Sequence, residues 1–293
     1  MGALSILIAC ALFGTNSLLV KLVSARVDPW SMSLVRFIVG TALASACIAA
    51  SQARERKPIA EGFRVRQPGA MIARAACGFA QMSLFFVGVA MTSSGRATLL
   101  MCTHPIFAAL FGLLLFGERL PRPVFGGIAL GFAGACVVLW DGSSYSLAGN
   151  LICLVGGAAN GMAMHFVKRV RRDHSALLTY LAPCVLGVVG TAFAAPGLGA
   201  IRGADWGPLV LIGTVAFLGQ FLMGWGLKYL AATTGSLLGL SEILFALSLS
   251  AAFLSEAMPP RFFLGAAILL GGLVSTMLIV GARSSASRPR SST

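Results

Sequence analysis

The sequence predicts an all-α fold: a polytopic membrane bundle of ten transmembrane helices, arranged as two inverted five-helix repeats. Three observations support this prediction: the composition, a series of long apolar segments and an internal repeat. Hydrophobic residues make up 57% of the 293 residues and charged residues only 11%, and the mean hydropathy is +0.89. These values lie far outside those of soluble globular domains, so the lipid bilayer is an expected partner of the chain.

Ten apolar segments are long enough to cross about 30 Å of hydrocarbon, which takes roughly 20 helical residues. They cover residues 2–23, 30–51, 69–91, 94–116, 121–141, 147–167, 175–195, 206–229, 233–255 and 260–282. The connections between them are too short for a separate soluble domain. No basic stretch precedes the first segment, so we expect it to belong to the bundle rather than to a cleaved signal peptide.

The distribution of basic residues predicts the orientation in the membrane. The chain has 22 Lys and Arg residues and a net charge of +13. If the amino terminus is cytoplasmic, most of them fall in cytoplasmic loops or in the tail, residues 283–293. Membrane proteins keep basic residues in their cytoplasmic loops, so both termini are predicted to be cytoplasmic. Because the charge lies in these loops, no nucleic acid partner is expected.

An internal repeat relates the two halves of the chain. The stretch "FGERLPRPVFGGIALGFAG", residues 116–134, aligns with "LSEAMPPRFFLGAAILLGG", residues 254–272, at a spacing of 138 residues, so that Glu118 pairs with Glu256. The first helix of each half aligns at a spacing of 147, which pairs Gly14 with Gly161 and Lys21 with Lys168. Five helices therefore repeat.

The repeat predicts three parts of the chain. Residues 1–145 form a first five-helix repeat, residues 146–282 a second, and residues 283–293 a cytoplasmic tail. Because five is odd, the second repeat enters the membrane from the opposite side. Inverted repeats are typical of secondary transporters, whose binding sites lie near the middle of the membrane between the repeats.

Glu242 and His104 are the only ionisable residues at the centre of a segment, and the spacing of 138 places them at equivalent positions. Each lies about ten residues, or ~15 Å, from either helix end. Charge at this depth is costly and usually functional, so we predict that they bind substrate or a proton. Buried packing residues are the alternative. Pro105 predicts a bend beside His104, while Arg36 and Arg74 lie nearer helix ends and are predicted to snorkel as anchors.

Other residues within the segments are less specific candidates for substrate or proton binding. They are Asn16, Gln81, Met82, Asn160, His165, Gln220 and Trp225. Amides inside membrane bundles more often bond across helices than contact a substrate, so a structural role stays open for them. The seven cysteines show no zinc or redox spacing, and neither a metal nor a cofactor is predicted.

Several stretches resemble the drug/metabolite transporter superfamily and, within it, the EamA-like ten-helix carriers. They are "ALFGTNSLLVKLVS" in the first helix, "PWSMSLVRF" in the second and "RATLLMCTHPIFAALFGLLLFGERLPRPVFGGIALGFAGACVVL" in the fourth and fifth. The resemblance implies two inverted five-helix copies, alternating access and a central cavity lined by helices one, three, four, six, eight and nine. Where this family commonly has a Glu-Pro pair in helix nine, this chain has Glu242 followed by Ile243.

The expected function is secondary transport of a small polar or zwitterionic metabolite, an amino acid or related compound, across a bacterial inner membrane. Export is favoured, and proton coupling through Glu242 and His104 is a further hypothesis. One alternative is an importer of a larger metabolite, such as a nucleoside derivative or S-adenosylmethionine; another is an accessory or structural membrane subunit. An enzyme is not expected, because the chain lacks a cluster of nucleophile, base and metal-ligating residues.

Overall fold

The computed structural model describes residues 1–142, 144–195, 198–230, 232–254, 256 and 258–286. Over these residues the chain is built from helices and connecting turns, without a strand. Nine helical segments in this part of the chain are long and apolar enough to cross a membrane, and Ala176–Ala192 is a shorter apolar helix. The predicted all-α polytopic bundle is confirmed.

The α-helices are numbered in chain order. They are α1 (Gly2–Val23), α2 (Pro29–Arg54), α3 (Ile59–Gly62), α4 (Pro68–Met91), α5 (Ser94–Met101), α6 (His104–Leu115), α7 (Arg122–Leu139), α8 (Leu147–Val170), α9 (Ala176–Ala192), α10 (Trp206–Gly226), α11 (Ala232–Gly239), α12 (Ser241–Leu254) and α13 (Pro260–Ala286).

Several helices begin at a polar side chain that caps the first turn. The Asp28 carboxylate accepts a hydrogen bond from the Ser31 backbone N–H at 2.9 Å, and Pro29 occupies the first position of α2. Ser93 caps α5 in the same way by accepting from the Arg96 N–H at 3.2 Å. Such caps satisfy backbone donors that have no partner within the helix. Helices α8 and α9 start on serine caps as well.

Two of the predicted spans are broken near their middle. The fourth consists of α5 and α6, which meet at a turn after Met101, and the ninth consists of α11 and α12, which meet at Leu240. Pro105 is within the first turn of α6, as the predicted bend requires. The ninth span breaks at the equivalent place without a proline. A break is therefore common to both halves of the chain.

Glycines bring the first helix of each half against the broken span of the other. A Cβ added at Gly161 of α8 would lie 2.8 Å from the Phe107 Cβ of α6, and one added at Gly14 of α1 would lie 2.8 Å from the Phe245 Cβ of α12. These distances are too short for real Cβ contacts, so only glycine permits such close packing. Both glycines and both phenylalanines are paired by the internal repeat.

The loops gather at two ends of the bundle. At one end, which we call the basic end, Arg64, Arg66 and His174 line a cavity of about 300 Å³ between α2, α3 and α9. At the other, which we call the far end, the loop after α1 meets the start of α10 through an ion pair between Arg26 and Asp205, 3.0 Å apart. The breaks in the two spans lie between these ends.

Candidate functional site

Glu242 lies directly after the break in the ninth span, as the second residue of α12. Its side chain is half-buried. Cys10 of α1 packs against the break, since its thiol lies 3.6 Å from the Leu238 carbonyl oxygen and 3.5 Å from that of Gly239. The thiol also interacts with the side chain of Ser241 and the backbone of Glu242. Glu242 therefore lies at the start of α12, beside Cys10 of α1.

His104 occupies the corresponding position at the break in the fourth span, as the first residue of α6. Its side chain is half-buried, and its ring hydrogen-bonds to the backbone of Met101 in the preceding turn. A Cβ added at Gly161 of α8 would lie 2.7 Å from the His104 carbonyl oxygen. The backbone at His104 is thus held by α8, while the imidazole faces the break.

The two breaks lie close to each other. Cys102, in the turn between α5 and α6, lies within electrostatic range of both Glu242 and Cys10. Glu242 and Cys10 therefore lie near the break that carries His104. The described contacts between the two sides run through Cys102, and no direct hydrogen bond between the Glu242 and His104 side chains is among them.

At each break a side-chain hydroxyl donates a hydrogen bond to the backbone. Neither of these two residues was among those predicted from the sequence. The Thr103 hydroxyl donates to the Leu100 carbonyl at 2.6 Å, and the Ser241 hydroxyl donates to the Leu238 carbonyl at 2.7 Å. Each bond gives a carbonyl at the break a side-chain donor, and the Leu100 carbonyl also accepts from the Thr103 backbone N–H at 3.2 Å. The repeat could have identified these two hydroxyl residues, because the spacing of 138 that pairs His104 with Glu242 also pairs Thr103 with Ser241.

The helix ends at the breaks give the site charge of both signs. The carboxyl ends of α5 and α11 and the amino ends of α6 and α12 lie at the breaks. A helix carries partial negative charge at its carboxyl end and partial positive charge at its amino end. With one carboxylate and one imidazole added, this arrangement can hold the ammonium and the carboxylate of a zwitterion. Broken helices of this kind form the binding sites of many secondary transporters.

The geometry agrees with the comparison of the chain with known families. The sequence model of the EamA-like transporter family matches residues 1–140 and 147–278. The chain belongs to the EamA-like transporter family. The two matched ranges each cover one half of the chain, with the gap falling in the loop between α7 and α8.

Two curated relatives of this EamA-like protein have names that state a function. The pseudopaline exporter CntI of Pseudomonas aeruginosa strain UCBPP-PA14 is 24% identical over 241 residues, which cover 79% of this chain and 80% of the relative. A Streptantibioticus cattleyicolor protein named "Probable terminal-alkyne amino-acid exporter" is 27% identical over 234 residues, 73% of this chain and 76% of the relative.

A solved structure supports the fold. One crystal structure, of a chain described only as a protein, superposes with a TM-score of 0.61 and 22% sequence identity, and the match covers 100% of this chain and 99% of the other. At this level of identity the likeness concerns the fold alone. It extends over the full ten-helix arrangement.

Three further predicted residues of this EamA-like protein lie on helices that border the breaks. Asn16 of α1 is buried, and its side-chain oxygen has no hydrogen-bond partner among the described residues. Asn160 of α8 is half-buried and precedes Gly161, which contacts the start of α6. Gln81 of α4 is half-buried as well. A role for these amides in binding substrate stays a prediction.

The remaining predicted residues make other contacts or are exposed. His165 stacks on Phe116, with ring centroids 4.4 Å apart, and its Nε2 lies 2.9 Å from the Ala108 carbonyl oxygen near the basic end. Trp225 makes an edge contact with Tyr229, with ring centroids 4.9 Å apart. Gln220 is exposed on α10. Among the described contacts, none joins these three side chains to Glu242, and their role stays a prediction.

Met82, also a predicted contact, is buried beneath Arg36. The Arg36 Nη1 lies 3.1 Å from the Met82 sulfur, and its guanidinium lies 5.4 Å from the ring centroid of Phe37 and 5.9 Å from that of Phe86. Only 5% of Arg36 is exposed. The prediction that Arg36 snorkels to the membrane surface is wrong, because aromatic faces and a thioether stabilise the cation inside the bundle.

Arg74 also extends inward. Its Nη1 lies against Gly78, one helical turn further into α4, and its Nε and Nη1 are buried. The missing side chain of Gly78 makes room for the guanidinium beside Pro183 of α9. The predicted anchoring role is therefore wrong for this residue too, since the side chain points away from the near end of its helix.

Proposed function

We propose that this EamA-like protein is a secondary active transporter that exports a small polar or zwitterionic metabolite, an amino acid or related compound, by alternating access. The observation that carries the proposal is the pair of breaks in α5–α6 and α11–α12, with His104 and Glu242 at equivalent positions beside them. Two relatives named as exporters, one of them of an amino acid, support the direction and the class of substrate.

The proposed membrane placement has the basic end in the cytoplasm of a bacterial cell and the far end outside, with both termini cytoplasmic in the inner membrane. The excess of Lys and Arg at the basic end supports this orientation. Residues 1–145 and 146–282 form the two inverted repeats. The equivalent contacts of Gly14 with Phe245 and of Gly161 with Phe107 support this division, because they relate each repeat to the other in the same way.

The described packing supports a state that is closed outside and open to the cytoplasm. Ser17 of α1 is fully buried near the far end, whereas Met164 of α8, its partner in the repeat, is 42% exposed near the basic end. α5 packs against α12, while the equivalent pair, α11 and α6, is not among the closely packed pairs of described helices. An exporter would load its substrate in this state.

In the proposed mechanism the Glu242 carboxylate binds the substrate ammonium, and the His104 imidazole donates a hydrogen bond to the substrate carboxylate. The amino ends of α6 and α12 add partial positive charge for the carboxylate, and the carboxyl ends of α5 and α11 add partial negative charge for the ammonium. Glu242 binds either the ammonium or a proton. Release of substrate outside, followed by protonation, therefore returns a proton to the cytoplasm in exchange for one substrate.

The first experiment combines binding with flux. The purified protein is screened for thermal stabilisation against amino acids and related zwitterions, since a ligand that binds the folded state raises the melting temperature. Each stabilising compound is then tested for flux in proteoliposomes. We expect saturable flux above that of protein-free liposomes. A folded protein that binds none of these compounds and shows no flux would contradict transport and favour an accessory subunit.

A further inference from the structure

A carboxylate at the far end caps the start of the half-helix α5. Both oxygens of Glu256 accept a hydrogen bond from the Ser94 backbone N–H, each at 3.1 Å. The Ser250 hydroxyl of α12 donates to the same carboxylate. Negative charge at the amino end of a helix is stabilising. Glu256 therefore ties the end of α12 to the start of α5.

A lysine next to this carboxylate caps a second helix. The Lys21 ammonium of α1 donates to the carbonyl oxygens of Val89, Ala90 and Thr92 at 3.2, 3.4 and 2.5 Å, at the carboxyl end of α4. Lys21 also interacts with Glu256. A cation and an anion thus hold the turn between α4 and α5 from both sides, and together they join α1 and α12 across the far end.

Hydrogen bonds between hydroxyl groups also join α1 to α5 at the far end. The Ser17 hydroxyl of α1 donates to the Ser94 carbonyl oxygen at 3.1 Å, and the Thr98 hydroxyl of α5 lies 3.1 Å from the Ser17 oxygen. A Cβ added at Gly95 would lie 2.6 Å from a methyl carbon of Leu247 in α12. The helices α1, α5 and α12 are therefore closely packed at this level.

The internal repeat places the same charged pair at the basic end. Glu118 is the counterpart of Glu256, Lys168 that of Lys21, and Ala232, the first residue of α11, that of Ser94. There the pair is disengaged. The Glu118 side chain is 48% exposed and lies 3.9 Å from Nδ1 of His165, and Lys168 is exposed.

We propose that Glu118 and Glu256 are alternating latches of the transport cycle. In the state described here Glu256 and Lys21 hold the far end closed, and His165 positions Glu118 in its released place. In the opposite state Glu256 releases α5, and Glu118 caps the amino end of α11 while Lys168 caps the carboxyl end of α10. The inference rests on the proposed inverted repeat and alternating access, and adds the groups that hold each state.

The test measures cysteine accessibility at a pair of equivalent positions, Ser17→Cys and Met164→Cys. Met164 lies on the opposite side of α8 from the exposed Val155, because nine residues correspond to two and a half turns. In the proposed orientation Met164 then faces the opening at the basic end. The rate of reaction with a hydrophilic maleimide is measured on purified protein without substrate. We expect rapid labelling at Met164→Cys and almost none at Ser17→Cys.

The latch predicts reciprocal changes on substitution. Glu256→Gln should raise labelling at Ser17→Cys and lower it at Met164→Cys, each by roughly fivefold, the effect of losing one helix cap. In the double variant that also carries Glu118→Gln, both changes should be reversed. Glu118→Gln destabilises the state in which the far end is open. Lys21→Gln acts on the same latch and serves as the second variant if Glu256→Gln does not fold. Glu61→Gln, at an exposed carboxylate, is the matched control and should change neither rate.

Loss of a merely structural contact has a different signature. Both cysteines would then react faster after Glu256→Gln, the melting temperature would fall, and Glu118→Gln would not reverse the change. That result would overturn the latch. The outcome is separate from the test of transport, since it needs no substrate: a protein that transports a zwitterion but lacks reciprocal labelling keeps the proposed function and loses the latch.

Discussion

Thr103 and Ser241 make the same hydrogen bond at the two breaks, each to the carbonyl oxygen three residues earlier, at 2.6 and 2.7 Å. The two residues are equivalent in the internal repeat, and each directly precedes the ionisable residue of its break. The breaks are therefore a built-in property of both halves, with their own means of satisfying the backbone, rather than a local effect of Pro105.

The first prediction tests these hydroxyls. Thr103→Val keeps the shape of the side chain but leaves the Leu100 carbonyl without its side-chain donor in a buried position. The carbonyl still accepts from the Thr103 backbone N–H at 3.2 Å, so only the contribution of one hydrogen bond is lost, and the free energy of unfolding should fall by about 0.5–1.5 kcal/mol in denaturant titration. The half-buried Thr214, whose hydroxyl makes a solvent-exposed bond to the Val210 carbonyl within α10, provides the control: Thr214→Val should have little effect.

The second prediction concerns the glycine contact between α8 and α6. Gly161→Ala places a methyl group 2.7 Å from the His104 carbonyl oxygen and should destabilise the protein by about 1–3 kcal/mol, as overpacking does. Gly126→Ala is the matched control, because Gly126 also lies inside a helix but has open space around it. That substitution should be neutral or slightly stabilising. Equal thermal stability of the two variants would contradict the close packing.

The third prediction concerns the orientation. A reporter fused after Thr293 should be cytoplasmic, and Ser144→Cys, in the far-end loop before α8, should react with an impermeant thiol reagent added to intact cells. Arg64→Cys, at the basic end, should react only after the membrane is permeabilised. A reversed pattern would show that the basic end faces outward, against the retention of basic loops in the cytoplasm.

The fourth prediction joins His104 with Glu242. If both line one site, their substitutions should not act independently, because residues that share a ligand or a proton are coupled. His104→Ala should shift the pH dependence of substrate binding, and its effect on the binding free energy should differ from additivity with Glu242→Gln. Binding is measured by calorimetry across pH. Strictly additive effects with an unchanged pH profile would leave Glu242 without His104 as a partner.

The sequence was sufficient to predict the membrane spans, and it paired His104 with Glu242, each of which lies at a break in the structure. Hydropathy reports segments that must face lipid, and an aligned repeat transfers position from one half to the other. The break in the ninth span was not predicted, because it has no proline and depends on Ser241 and the neighbouring Cys10. A break of this kind arises from contacts between helices rather than from the local sequence.

The direction of charged side chains was predicted poorly for the same reason. Arg96, near the start of the fourth predicted span, is fully buried, and its guanidinium lies 2.5 Å from the Asp141 carboxylate. Arg36 and Arg74 extend inward because aromatic rings and the missing side chain of Gly78 receive them. Depth along a helix can be counted in the sequence, whereas the partner on another helix cannot.

The most direct test of the central claim is flux through the Glu242→Gln variant. Proteoliposomes are loaded with a compound that binds the unmodified protein, and efflux is followed with and without a proton gradient. Removing the carboxylate charge from this nearly isosteric side chain should reduce coupled efflux at least tenfold, while Glu61→Gln leaves it unchanged and both variants keep their melting temperature without ligand. Efflux by Glu242→Gln equal to that of the unmodified protein across pH would contradict the account and make Glu242 a packing residue.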